Sequence, residues 1–113
     1  MNLSFRFRQG SSNLDNKAIR DLDRLLGTMA APKFQDYGLL LIGFADALGG
    51  ETANMKISME RAGVVARELG VRGVQAELVK GFGSALPVAT NSTQLGRDKN
   101  RRVEVWLRKR DTR

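Results

Sequence analysis

Two charged residues, Asp46 and Arg61, lie fifteen positions apart in the stretch GFADALGGETANMKISMER at residues 43–61. Asp46 follows an apolar run and precedes a glycine-rich turn, so we expect it at the carboxyl end of a strand, where open α/β sheets bind ligands. A helix is predicted after the turn, and Asn54, Ser58 and Arg61 share one stripe of it at i, i+4 and i+7. A carboxylate and a guanidinium facing one crevice fit a zwitterion, with its ammonium on Asp46 and its carboxylate on Arg61.

The same spacing also has a purely structural explanation. Arg61 lies at the margin of the predicted helix face, where an arginine can lay its stem along the sheet edge and keep its charge in water. Spacing alone favours this explanation over a binding site. Neither Asp46 nor Arg61 belongs to the predicted apolar core, so we expect substitutions of either residue to leave the chain folded.

The composition restricts the kinds of site that this chain can build. A length of 113 residues with 42% hydrophobic content predicts a single domain, residues 1–113, around one core. The sequence has no cysteine and no histidine, which excludes disulfides, thiolate metal sites and the usual Ser/His or Cys/His catalysis. No pair of carboxylates has a spacing that indicates glycosidase chemistry.

Positive charge is concentrated at the end of the chain. Residues 97–113 hold eight Lys or Arg against three Asp or Glu, and so carry +5 of the net charge of +7. Such a segment can bind an anionic polymer, although a solvated basic tail is the simpler interpretation. No apolar run reaches eighteen residues, and no signal segment precedes the strand predicted from Leu3, so we expect no transmembrane segment and a domain taken from a longer precursor.

Residue periodicity predicts four strands. Alternation predicts strands at 3–8 and at 102–108, and the apolar run at 39–45 indicates a strand that is buried on both faces or central in its sheet. A further strand is predicted at 74–80, followed by a tight turn at 81–83 and a long polar loop. In the last strand, one face carries Val103, Val105 and Leu107, and the opposite face carries Glu104, Trp106 and Arg108.

Two helices are predicted between these strands. The first begins after the N-cap Asp15 and ends near Ala30, and the second spans about 52–69, with Met55 among its core-facing residues. Because the first and last strands each have a polar face, both helices are placed on one side of a mixed four-stranded sheet. The predicted fold is therefore an α/β (α+β) two-layer sandwich with the order β-α-β-α-β-β.

Three motifs resemble the C-terminal domain of the OmpA family, which Pal lipoproteins and the flagellar stator protein MotB share. They are GFAD at 43–46, the pattern N-x-x-[IL]-S-x-x-RA at 54–62, and GFGSALPVATNSTQLGRDKNRRVEVWL at 81–107. The resemblance implies a periplasmic, non-enzymatic domain of an envelope-anchored or secreted bacterial protein. It implies binding of peptidoglycan through the meso-diaminopimelate of the stem peptide, with no catalytic residue, metal or cofactor. It also implies that the last strand is antiparallel to the others and lies between the first and second.

The resemblance assigns roles to individual residues. Asp46 and Arg61 match the family's ligand-contacting aspartate and arginine with the same spacing, and Asn54 matches its asparagine. Backbone amides of the turn at 47–50 are expected to assist with the anion. The complete set of candidate ligand-binding residues is Asp46, Arg61, Asn54, Ala45, Ala47, Leu48, Ser58 and Ser12.

The sequence differs from the family pattern at two positions, and two other functions are possible. Phe44 and Ala45 stand where the common motif has histidine and threonine, which predicts a lost hydrogen bond or an altered affinity. A polyanion-binding module that uses the basic C-terminal segment is one alternative to peptidoglycan binding, although no nucleic-acid partner is expected. A module for homodimerisation, such as the stator domains use, is the other.

Overall fold

The computed structural model describes residues 3–110, which form a mixed four-stranded sheet and three α-helices. In chain order the elements are β1 (Leu3–Arg6), α1 (Asn16–Met29), β2 (Tyr37–Gly43), α2 (Glu51–Val71), β3 (Leu78–Gly81), α3 (Gln94–Asn100) and β4 (Arg102–Lys109). The strands lie in the order β1-β4-β2-β3, with β4 antiparallel to β1 and β2, and with β2 parallel to β3. This arrangement confirms the predicted fold class and the inserted last strand.

Strand β4 has the predicted orientation. Val103 and Val105 are buried in the core, whereas Trp106 is 54% exposed on the opposite face of the sheet. The buried residues of α1 and α2 join these two valines in one hydrophobic cluster, so both helices cover the same face. Neither α1 nor α2 covers the other face of the sheet.

The N-terminus of α1 forms as predicted. Asp15 is the N-cap, and its Oδ1 accepts a hydrogen bond of 2.8 Å from the amide of Ala18. The prediction for Met55 on α2 is wrong, because 45% of this residue is exposed. The buried face of α2 instead includes the polar residues Asn54, Ser58 and Arg61.

Helix α2 lies unusually close to the sheet because glycines line its contact with β2 and β3. A Cβ atom added at Gly43 would lie 1.9 Å from the main-chain oxygen of Ser58, and one added at Gly81 would lie 2.5 Å from the Ser58 hydroxyl. The hydroxyl itself accepts a hydrogen bond of 2.9 Å from the amide of Gly83. This contact fixes the position of α2 against the end of β2.

We expect Gly43→Ala to destabilise the domain, because its methyl group would collide with backbone rather than with a movable side chain. Overpacking of this kind costs about 1–3 kcal/mol. Gly27→Ala is the matched control, since Gly27 lies in α1 with no atom within 4 Å of an added Cβ, and Ala is favoured over Gly in helices by about 1 kcal/mol. Urea denaturation should show opposite shifts for the two variants, and equal shifts would contradict the close packing.

Several predicted segments differ from the structure. The strand predicted at 3–8 ends at Arg6, and the one predicted at 39–45 spans Tyr37–Gly43. The strand predicted at 74–80 begins only at Leu78, where the parallel pairing with Leu40 of β2 starts. The predicted long polar loop contains α3, which begins after the N-cap Thr93, whose side chain accepts from the amide of Gly96. Among residues 3–110, no helix has the length and apolar character needed to cross a membrane.

Candidate functional site

A cavity of about 250 Å³ opens at the carboxyl end of β2, between the turn that leads into α2 and the loop after β1. Ala45, Leu48 and Ile57 form part of its apolar wall. Its polar side chains come from Gln9, Asp46, Asn54, Arg61 and Arg101. The structure thus brings Asp46 and Arg61 to one pocket, as their spacing predicts.

Asp46 is only 5% exposed, and both of its carboxylate oxygens already accept a hydrogen bond. Oδ1 accepts from the amide of Leu48 at 3.0 Å, and Oδ2 accepts from Nη1 of Arg101 at 2.7 Å. Each carboxylate oxygen has two lone pairs, so one acceptor position on each oxygen remains for a ligand. The carboxylate is held in one orientation by these two bonds.

Arg61 is 1% exposed and lies in a cage of main-chain carbonyls. Its Nε donates to Ser11 at 2.9 Å, Nη1 to Phe44 at 3.2 Å and Nη2 to Arg8 at 3.1 Å. A guanidinium has five N–H donors, so these three bonds leave two without a hydrogen-bond partner among residues 3–110. Burial, and then the nearby charge of Arg101, lower the pKa of Arg61 to about 10, which leaves it protonated at neutral pH.

These contacts correct one expectation about Arg61. Its charge is not in water at the sheet edge, because three carbonyls from two loops surround the guanidinium. Arg61 and Asp46 are both buried, so we expect substitution of either residue to leave the chain folded but less stable. The arginine joins the loop after β1 to the end of β2 and therefore supports the fold as well as the pocket.

Arg101 is a charged pocket residue that was not among the predicted site residues. It is 6% exposed, and its Nε donates to the carbonyl of Phe7 at 2.9 Å. Its Nη1 bonds Asp46, and its Nη2 bonds Asp98 at 3.0 Å. Arg101 and Arg102 belong to the segment interpreted above as a basic tail, but both are buried. The only available signal was the NRRVE motif, which carries no information about burial.

The other candidate residues divide into those at the pocket and those outside it. Asn54, Ala45 and Leu48 line the pocket, whereas Ser12 and Ser58 do not. The hydroxyl of Ser58 is used inside the fold, where it donates to the carbonyl of Met55 and accepts from the amide of Gly83. On the other side of the turn, Ala47 and Asn54 both line a neighbouring cavity of about 350 Å³.

Two amides of the turn after Asp46 already have partners. The amide of Ala47 donates to Oδ1 of Asn91 at 3.2 Å, and the amide of Leu48 donates to Asp46. The same Asn91 oxygen accepts from Asn100, whose side chain also binds the backbone of Ala89. These two amides therefore position the turn, which corrects the expectation that they assist with an anion.

Phe44 occupies a structural position outside the pocket lining. Its ring lies under the guanidinium of Arg102, with 3.8 Å between Cζ and the ring centroid, and 5.9 Å from the ring of Phe82. Near the pocket, the main-chain carbonyl of Phe44 accepts a hydrogen bond from Arg61. Of the two departures from the family pattern, only the one at Ala45 alters the pocket wall.

The strand order and the pocket at the end of β2 define a two-layer α/β domain with a charged, largely buried site. The chain belongs to the OmpA family, whose model matches residues 6–101. It is 40% identical over 81 residues to the Escherichia coli protein named "Probable lipoprotein YiaD", covering 70% of this chain and 37% of the relative. It is 42% identical over 72 residues to the peptidoglycan-binding protein ArfA of Mycobacterium tuberculosis, covering 62% and 22%.

The fold is also found among solved structures. The peptidoglycan-associated lipoprotein from Burkholderia pseudomallei superposes with a TM-score of 0.84 over 93% of this chain and 89% of that chain, at 22% identity. At this level of identity the likeness establishes the fold alone. The chain spans less than two fifths of the length of the two curated relatives.

Proposed function

We propose that this domain binds peptidoglycan without covalent chemistry, through the free amino acid end of a diaminopimelate side chain in the stem peptide. The observation that carries the proposal is the convergence of Asp46 and Arg61 on one pocket, each with donors or acceptors left over. Membership of the OmpA family and similarity to a protein named for peptidoglycan binding support the ligand class. The proposed location is the periplasm, and the proposed role is to tether a parent protein to the wall.

In the proposed complex, the ligand ammonium donates to the remaining lone pairs of Asp46, and the ligand carboxylate accepts from the two remaining N–H groups of Arg61. Charge-assisted hydrogen bonds of this kind are stronger than neutral ones. They gain further strength here because both residues are almost completely removed from water. Nothing in this arrangement requires a catalytic group, so the proposed function is recognition alone.

Asn54 provides a third polar contact for the ligand. It is 6% exposed, lines the pocket and makes no side-chain hydrogen bond to any other residue between 3 and 110. Every buried side-chain polar atom of the described residues has a hydrogen-bond partner, so the Asn54 amide is open to solvent in the pocket, where a ligand would replace water. An amide can donate to a carboxylate or accept from an ammonium, so Asn54 fits either half of a zwitterion.

We expect the domain to prefer diaminopimelate to lysine in otherwise identical stem peptides. Lysine keeps the terminal ammonium but lacks the adjacent carboxylate, so Arg61 would gain nothing on binding it. Calorimetric titration with L-alanyl-γ-D-glutamyl-meso-diaminopimelate and with its lysine counterpart, in the same salt, should give at least about tenfold tighter binding of the former. Equal affinities would contradict the roles assigned to Asp46 and Arg61.

Polyanion binding is the less favoured function because the structure uses much of the basic segment internally. Arg101 and Arg102 are buried, and Arg97 donates to the carbonyl of Asn91. Within the described residues, the exposed cations at the end of β4 are Arg108, Lys109 and Arg110. Salt-dependent, sequence-independent binding to DNA would favour this function, and a concentration-dependent mass in solution would favour homodimerisation.

A further inference from the structure

The pocket contains more positive than negative charge on its buried side chains. Arg61 and Arg101 both line it, and Asp46 is the single acidic residue in its wall. Asp98 also bonds Arg101, but 46% of its side chain is exposed, so solvent screens its charge. A ligand therefore meets two guanidinium groups and one carboxylate that is already paired with one of them.

Because of this charge balance, the electrostatic interaction with the pocket differs between a cation and a zwitterion. A lone ammonium would approach a carboxylate already paired with Arg101 and would be repelled by both guanidinium groups. A zwitterion brings a carboxylate for the free N–H groups of Arg61, and that carboxylate offsets the repulsion of its own ammonium. The effect of Arg101 on the pKa of Arg61 indicates that the two arginines interact within the pocket.

We infer that Arg101 is a specificity-determining residue, which acts through Asp46 to exclude ligands that present an ammonium without an adjacent carboxylate. This inference rests on the proposed binding of a diaminopimelate end. It assigns the preference for that end over lysine to two causes. Arg61 attracts the carboxylate, and Arg101 weakens the attraction of Asp46 for any isolated cation. Specificity built partly on repulsion of the wrong ligand is a general strategy in binding sites.

Removing the charge of Arg101 should relax the specificity. We expect Arg101→Gln to reduce the affinity ratio between the diaminopimelate and lysine tripeptides by about tenfold, chiefly through tighter binding of the lysine peptide, since a unit charge at contact distance in a partly buried site has an effect of this size. Arg101→Lys keeps the charge and should keep most of the ratio. If Arg101 had a structural role alone, Arg101→Gln would lower the affinity for both peptides by the same factor, and that result would overturn the inference.

Asp98→Asn is the opposite test, and it remains informative if Arg101→Gln fails to fold. This substitution removes a half-exposed carboxylate beside Arg101 and makes the pocket more positive, so the affinity ratio should widen by about twofold for a screened charge. An unchanged or narrower ratio in folded Asp98→Asn would overturn the inference. If the unmodified domain binds neither tripeptide, the proposed function fails. If the domain binds as proposed but Arg101→Gln leaves the affinity ratio unaltered, only the inference about Arg101 fails.

Discussion

Arg61→Ala is expected to abolish stem-peptide binding and to lower the free energy of unfolding by about 2 kcal/mol. The carbonyls of Ser11 and Phe44 would lose their donor, whereas the carbonyl of Arg8 keeps the amide of Ser11 at 3.1 Å, and each unsatisfied buried polar group costs about 1–3 kcal/mol. Water that enters the space would recover part of this loss, so the expected value lies near the lower end of the sum. Urea denaturation, followed by calorimetric titration at a temperature where the variant is folded, measures both effects.

Arg67→Ala is the matched control for this experiment, because Arg67 lies on the same helix with its side chain exposed. Its removal should change stability by no more than about 0.5 kcal/mol and leave binding unchanged. Arg61→Lys keeps the positive charge but cannot reach three carbonyls in a fixed fork, so it should show an intermediate loss of stability. If folded Arg61→Ala bound the diaminopimelate tripeptide as tightly as the unmodified domain, Arg61 would have a structural role only.

Asp46→Asn is expected to weaken binding of the diaminopimelate tripeptide by about 2–5 kcal/mol, the cost of removing one partner of a desolvated charge pair. The amide has nearly the same shape as the carboxylate, so the change removes charge without opening a cavity. Arg101 would lose its 2.7 Å partner, so we also expect a lower midpoint of urea denaturation. Asp23→Asn, an exposed position on α1, should change neither quantity.

The same titrations compare the pocket with the end of β4. Neutralising exposed Lys109 should leave tripeptide affinity within about threefold, because a screened surface charge chiefly affects the association rate. The sequence-based hypothesis extends this expectation to Arg110 and Arg113, of which Arg113 lies outside the described residues. If the Lys109 variant lost binding and Asp46→Asn kept it, the binding site would lie in the basic segment and not in the pocket.

The sheet and the shared position of Asp46 and Arg61 could be predicted because each produces a regular pattern in the sequence. Alternating residues in β4 and the continuous apolar run of β2 identify strands, and the N-cap Asp15 identifies the start of α1. Helix α3 has no such pattern, since its residues QLGRDKN include one large apolar side chain. It is held instead by specific contacts, such as the packing of Gly96 against the carbonyl of Thr90, where an added Cβ would lie only 1.9 Å away.

The environment of the charged residues could not be predicted because it too depends on contacts that leave no pattern in the sequence. Arg101 and Lys109 belong to the same basic stretch of sequence, but the first is buried and the second exposed. Burial of Arg101 depends on partners at positions 7, 46 and 98, which only the folded chain brings together. Residue types and local spacing thus indicated that Asp46 and Arg61 face one crevice, which they do, but gave no information on the second guanidinium.

The direction of the strands determines how this domain would carry a mechanical load. Asp46 follows the carboxyl end of β2, whereas Leu3 at the start of β1 pairs with Val105, and Lys109 at the end of β4 pairs with Tyr37 at the start of β2. Lys109 therefore lies away from the pocket along the strand axes, whereas Leu3 is level with Leu41, two residues before the end of β2. A pull between a ligand in the pocket and the Lys109 end would run parallel to the strands, and antiparallel hydrogen bonds lie perpendicular to them. Such a pull loads the hydrogen bonds between the strands in shear, so they share the force and do not break one after another. A sheet resists force better in this geometry.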